Sequence, residues 1–292
     1  MRGLLLLVLA AGCSRDELHH EHTAKYFKEL KLDTAPGLSG LATDDTGGFW
    51  TVAERDLKAY RITLDAANNP TLETLTIEGV PPKLDLEGVA WLGGDHFALG
   101  TEGKVDGLAT VLLADRRGET LVVTRVIALP ETKLGIDLPA NHGAEGVCGY
   151  GSTIIVAIEG SGIENGKRFA PIVRITNGEI ERVHRMWLST KIGKLSALDC
   201  TIAADGTAEV IAVERHFSVT KILRFTLPTA EGDITPTEAL DLGRALKSRL
   251  NLEGIAKTTS GRYFAVVDNQ WKTLRGPSLL LVFEAGVVKE RR

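Results

Sequence analysis

Five segments of this chain share one pattern, and a pattern repeated that often limits the fold more than any single motif does. They are Leu38-Ser39-Gly40-Leu41-Ala42, Leu86-Glu87-Gly88-Val89-Ala90, Ala144-Glu145-Gly146-Val147-Cys148, Leu195-Ser196-Ala197-Leu198-Asp199 and Leu252-Glu253-Gly254-Ile255-Ala256. Each leads through a turn to an apolar run ending in an acid: Phe49 to Glu54, Phe97 to Glu102, Ile154 to Glu159, Val210 to Glu214 and Phe264 to Asp268. From the central small residue to that acid the spacing is 14, 14, 13, 17 and 14 residues. The turns carry Gly, Asp and Ser, as in Gly93-Gly94-Asp95 and Ala204-Asp205-Gly206, and so read as hairpin connections. A third apolar run follows each acid, and usually a fourth. Four antiparallel strands per unit, repeated radially, predict an all-β fold, a β-propeller.

Gly40 to Gly254 spans 214 residues over four intervals, or 53.5 per repeat, and residues 24–292 hold five such lengths. Five four-stranded blades are therefore expected. The fifth unit has no fourth run after Phe283, but Tyr26 to Leu32 at the other end would supply one and close the ring. Closure of this kind removes exposed sheet edges. Six blades would require one unrecognised repeat, and an extended solenoid would require capping repeats that the sequence does not display.

Ahead of the repeats, Met1-Arg2-Gly3, the apolar run Leu4 to Leu9 and Ala10-Ala11-Gly12-Cys13 have the layout of an export signal. The run also resembles a bacterial lipobox, which implies a signal peptide over residues 1–12 and lipidation of Cys13. Residues 13–23 then form a polar tether and residues 24–292 one domain. Ser14 after the cysteine resembles the signal for the outer membrane, so the expected location is the bacterial envelope, facing the periplasm or surface. His19, His20 and His22 in the tether read as solvated residues, with no second ligand cluster nearby. Membrane contact is expected through the lipid only. With 34 basic and 38 acidic residues, net charge −4 and no basic stripe, a nucleic-acid partner is not expected. Cys148 and Cys200 stand at opposite parity relative to their small residues, so two buried free thiols are expected.

In an antiparallel hairpin the start of the first strand and the end of the second lie together. Ser39, Glu87, Glu145, Ser196 and Glu253 should thus gather with Glu54, Glu102, Glu159, Glu214 and Asp268 around one mouth of the channel. Crowded carboxylates raise one another's pKa unless a partner neutralises them. A hard cation such as Ca²⁺ would do so, with Glu87, Glu145 and Glu253 as leading ligands. So would Arg55, Lys104, Arg215 and His216, and in that structural alternative the acids merely cap neighbouring strands and hold the blades together. Asn141-His142, the loop from Gly160 to Phe169 with Lys167 and Arg168, and Asp268-Asn269-Gln270-Trp271-Lys272 crowd the same face. For His142 and His216, satisfied structural histidines and proton-transfer groups are both open.

The repeat segments, with Val213-Glu214-Arg215 after the fourth and Val267-Asp268-Asn269 after the fifth, resemble bacterial phytase-like proteins, the family labelled for an esterase-like activity of phytase. The resemblance covers nearly all of residues 24–292. It implies an exported propeller, a phosphoester hydrolase, and calcium in a carboxylate-lined mouth. Two functions follow as expectations. In the first, calcium and arginines neutralise phosphate while water attacks, with Glu54, Arg55, Glu102, Glu159, Glu214, Arg215, Asp268 and Asn269 facing a small anionic substrate and His142 or His216 moving the proton. In the second, a non-catalytic envelope propeller binds a small ligand or a protein partner whose identity the sequence does not carry.

Overall fold

The structure is a computed structural model that describes residues 21–216, 219–242, 251–270 and 276–286. The signal segment, Cys13, His19, His20, Trp271 and Lys272 lie outside the described residues. Strand β1 (Glu21–Leu32) comes first. One four-stranded unit follows, made of β2 (Leu38–Thr43), β3 (Phe49–Ala53), β4 (Lys58–Leu64) and β5 (Pro70–Glu78). The next contains β6 (Asp85–Gly93), β7 (His96–Glu102), β8 (Ala109–Arg117) and β9 (Thr120–Leu129), after which α1 (Glu131–Leu134) makes one helical turn. In the third, β10 (Ala144–Tyr150) and β11 (Thr153–Ile158) precede a short β12 (Gly162–Glu164), which folds back on β13 (Lys167–Thr176), and β14 (Glu179–Trp187) completes the unit. The fourth holds β15 (Lys194–Ile202), β16 (Ala208–His216), β17 (Val219–Leu227) and β18 (Glu238–Asp241). The fifth holds β19 (Asn251–Lys257), β20 (Arg262–Asp268) and β21 (Ser278–Gly286).

The missing fourth strand of the fifth unit is β1. It runs antiparallel to β21, with Tyr26 opposite Glu284, Phe27 opposite Phe283 and Leu32 opposite Ser278. Pairing therefore gives five units among the described residues, four of them four-stranded and the third carrying the short β12 in addition. Short parallel bridges between outer strands, β5 to β9 and β18 to β1, join neighbouring units at the rim.

The inner strands β2, β6, β10, β15 and β19 touch one another in that order and return from β19 to β2. The small residue of each repeat makes this approach feasible. A Cβ on Gly88 would lie 2.5 Å from the Glu145 carbonyl oxygen, and one on Gly254 would lie 2.5 Å from the Gly40 carbonyl carbon. The residue just before it has a different role. In β6, β10, β15 and β19 the register skips Glu87, Glu145, Ser196 and Glu253, so each is the extra residue of a bulge. A bulge kinks the strand and re-aims a side chain, here at the same repeat position each time.

Five layers of buried apolar side chains fill the spaces between consecutive units. Each fully buried Leu, Ile or Phe contributes roughly 1.5–3 kcal/mol, so stability resides in these inter-sheet layers. Strand alternation divides the work. In β16, Val210 and Ala212 face the third unit while Ile211 and Val213 face the fifth.

That same alternation corrects the expected free thiols, because Cys148 and Cys200 form a disulfide with Cα atoms 5.8 Å apart. Radially stacked sheets meet by opposite faces, so opposite parity is what brings side chains of neighbouring units together. Cys148 projects toward the fourth unit and Cys200 back toward the third.

Candidate functional site

Strand pairing sets two levels of side chains around one mouth. At the outermost level stand Asp85, Lys194 and Asn251, the first residues of β6, β15 and β19, with Gly37 and Gly143 just ahead of β2 and β10. The ends of the second strands meet them: Asp85 is opposite Glu102, Lys194 opposite Arg215 and Asn251 opposite Asp268. The Glu54 and Glu159 amides bond the Gly37 and Gly143 carbonyls at 3.0 and 3.1 Å, which fixes those two acids at the same level. Deeper lie Ser39 and the bulge residues Glu87, Glu145, Ser196 and Glu253.

One expected member of the ring is displaced. Glu214 pairs with Leu195, one residue short of the level of the other terminal acids, and Arg215 takes that place. The Glu214 carboxylate is turned to the preceding loop. It accepts the Ser189 amide at 2.9 Å, the Ser189 hydroxyl at 2.7 Å, the Thr190 amide at 3.0 Å and the Thr190 hydroxyl. Arg168, expected near this face, also serves a loop, donating to the Gly193 carbonyl at 2.7 Å and the Ser161 hydroxyl at 2.6 Å.

The fourth unit thus inserts a basic sector into an acidic ring. Arg215 grips Glu253 through two guanidinium nitrogens, one at 3.1 Å from Oε2, and Asn251 donates to Glu253 Oε1 at 2.8 Å. Opposing the cost of burial, the charges of Glu253 and Glu145 raise the Arg215 pKa. Lys194 pairs with Glu159, and burial together with Arg215 lowers its pKa. The other oxygen of Glu159 lies 3.5 Å from His142 Nε2. Burial, then the charge of Lys194, lowers the His142 pKa and keeps its ring neutral near neutral pH, while its buried Nδ1 has no hydrogen-bond partner among the described residues. Lys194 and Asn251 fall outside the residues expected from sequence, although each stands two residues before a bulge position, the offset that signals a shared side of a strand.

Across the first three units the acids crowd, and burial with like charge outweighs the nearby cations. Burial, then the charges of Asp268 and Glu253, pushes Glu54 up to about 8. Glu145 also rises to about 8, through burial and then Glu253, against the opposing charges of Arg215 and Lys194. Burial, with Glu145, Glu54 and Glu253, lifts Glu87 well above its ordinary range. Glu102 is raised by burial and hydrogen-bonds Glu87. A bond between two carboxyl groups requires a proton on one of them. The Ser39 hydroxyl donates to the Glu87 carbonyl at 2.6 Å and lies 3.2 Å from its Oε2.

The remaining expected residues separate. Asp268 accepts the Gln270 amide at 2.8 Å and Asn251 Nδ2 at 3.1 Å. Asn269 is structural in its contacts, accepting the Gly37 amide at 2.8 Å and donating to the Gly276 carbonyl at 2.6 Å. Arg55 points outward with 67% of its side chain exposed, 3.6 Å from Asp85. Lys104 is likewise used away from the mouth, on Glu131 and the Leu138 carbonyl. His216 ends β16, opposite Val219.

Among the described residues, no group of three or more His, Cys, Asp or Glu side chains closes to metal-binding distance. No helix among them is long and apolar enough to cross a membrane.

Comparison with solved structures supports the propeller. The PQQ-bound aldose sugar dehydrogenase from Streptomyces coelicolor matches with TM-score 0.50 and 12% identity, over 89% of this chain and 98% of that one. The exo-β-1,3-galactanase from Phanerochaete chrysosporium matches with TM-score 0.54 and 10% identity, over 90% of this chain and 67% of that one. At such identities the likeness concerns the fold alone. No curated protein sequence matches the chain. A family model described as phytase-like, esterase-like activity of phytase, matches residues 34–270, and the chain belongs to that phytase-like family.

Proposed function

We propose that this protein is an exported lipoprotein whose propeller mouth hydrolyses a phosphoester with the help of calcium. The observation that carries the proposal is the arc of Glu54, Glu87 and Glu145, each with its pKa raised by burial and then by neighbouring acids, Glu253 among them in every case. A mouth with more carboxylates than cations repels a phosphate unless a cation or protons neutralise it. The donor chemistry fits calcium, which takes hard oxygen ligands. Glu87 and Glu145 with Glu54 would have to draw together to hold it, since they do not stand at metal-binding distance, whereas Glu253 is already committed to Arg215 and Asn251.

Bound calcium would neutralise phosphate charge and polarise an attacking water. The chain's own residues supply the rest. Lys194 and Arg215 face the arc from the fourth unit and would orient phosphate oxygens. His142, neutral and beside Glu159, would take the proton of water as the oxygen adds to phosphorus, and would return it to the alcohol as the ester bond breaks. Export draws support from the Cys148–Cys200 disulfide, since such bonds persist in oxidising compartments.

The test is a screen of phosphomonoesters, phosphodiesters and inositol phosphates with and without calcium. Turnover should require calcium, fall in Glu87→Gln, and lose substrate affinity in Arg215→Lys. For the anchor, Cys13→Ala should release the domain from the membrane fraction. A second reading, a ligand-binding propeller without catalysis, is favoured by the way Glu214 and Asn269 are spent on loop contacts. Absence of turnover for every phosphoester, with calcium binding retained, would establish it.

A further inference from the structure

Beside the acidic mouth, and built from connections at the same end of the strands, lies a groove of about 970 Å³, within the size range of ligand pockets. Its walls are the β12–β13 hairpin, the loop after β14 and the first residues of β17. Lys167, Arg168, Lys191 and Lys221 line it with one acid, Glu164, which is held by Arg185 at 2.9 Å. In a protein of net charge −4 this is a local reversal of sign.

The groove is also apolar and preformed. Trp187 lies on its wall, fixed by a hydrogen bond from Nε1 to Asp233 at 3.1 Å and by an edge-on contact with Phe169. Ile163 stands on the hairpin with 72% of its surface exposed, an unusual place for a large aliphatic side chain. Asn165 and Gly166 adopt φ values of 50° and 75°, those of a tight two-residue hairpin turn, so the hairpin has a defined shape. Arg168 ties it to Gly193 across the groove floor. Lys167 and Lys191 are exposed, and neither side chain takes part in a hydrogen bond or ion pair among the described residues.

We propose that this groove binds a small organic anion with an aromatic or aliphatic portion, its charge met by Lys167 and Lys191 and its apolar part by Trp187 and Ile163. The proposal does not depend on hydrolysis at the mouth. Its wall is shared with the mouth, because Glu214 holds the Ser189–Thr190 segment from behind and Lys194 follows it.

Anilinonaphthalene sulfonate, an aromatic anion, is the probe, titrated into the full chain by fluorescence and calorimetry with circular dichroism to confirm folding. Saturable binding is expected, weakened by salt and weakened at least about tenfold in Lys167→Glu/Lys191→Glu. The uncharged phenylnaphthylamine should bind more weakly than the sulfonate, and Glu87→Gln/Glu145→Gln should bind the sulfonate as wild type does. Failure of the folded protein to bind, equal affinity in the lysine variant, or equal binding of the uncharged analogue would overturn the proposal. Loss confined to the Glu87→Gln/Glu145→Gln variant would do so as well, by placing the probe in the mouth.

Discussion

The dipeptide Glu-Arg occurs twice at the mouth, as Glu54-Arg55 and Glu214-Arg215, with opposite outcomes. In the first unit the glutamate enters the mouth and the arginine leaves it, 67% exposed. In the fourth, the glutamate caps a loop and the arginine enters, 16% exposed and bound to Glu253. A shift of one residue in register accounts for the exchange: Ala53 pairs with Leu38, whereas Glu214 itself pairs with Leu195. Neighbouring residues on a strand face opposite ways, so one step converts an acidic position into a basic one. The mouth is thereby divided into a compensated sector around Lys194 and Arg215 and an uncompensated arc around Glu54 and Glu87.

The two arginines should respond very differently to removal. Arg215→Ala leaves the Glu253 carboxylate buried without its main partner, and loss of one member of such a pair costs about 3–5 kcal/mol. Urea denaturation should show that loss, while Arg55→Ala should change stability by less than about 0.5 kcal/mol. Equal effects would erase the distinction between the two sectors.

On the compensated side, the disulfide also joins the third and fourth units. Reduction, or Cys148→Ala/Cys200→Ala, should lower stability by about 2–4 kcal/mol in the same measurement. Sequence parity alone pointed away from this bond. The strands, the closure by β1 and the common face of the acids were legible in the repeat, because burial imposes a period of two and the turns impose hairpins. The disulfide and the turning of Glu214 out of the ring were not, since the first depends on which faces of separate sheets meet and the second on register after a longer hairpin. The basic groove was hidden for a related reason. Lys167, Lys191 and Lys221 come from three separate connections, and only the ring brings them together.

The uncompensated arc should make calcium-free protein sensitive to pH. Glu54 keeps its proton in the folded state up to about 8, whereas the unfolded chain releases it near the ordinary 4.5. Its stabilising contribution is therefore complete below about 4.5 and is lost as pH rises toward 8, at up to about 1.4 kcal/mol per pH unit. Melting temperature should fall across this window, and Glu54→Gln should flatten the fall. A profile that rises from pH 5 to 8 in a calcium chelator, unchanged in Glu54→Gln, would mean the arc is already neutralised by the protein.

A smaller effect refines the same contrast. Ser39→Ala removes the hydroxyl that bonds the Glu87 backbone and faces its carboxyl, for an expected loss of about 1 kcal/mol by thermal denaturation. Ser196→Ala, whose hydroxyl bonds the Leu252 carbonyl at 2.8 Å in the basic sector, should cost a similar amount without altering the pH profile.

The most direct test of a cation-seeking arc is calorimetric titration of calcium-free protein with calcium near neutral pH, repeated in two buffers of different ionisation heat. Binding is predicted to release protons, because Glu54, Glu87 and Glu145 hold them when no cation is present, and both the heat and the proton release should disappear in Glu87→Gln/Glu145→Gln. No binding at millimolar calcium, or binding that releases no protons and persists in that variant, would contradict it.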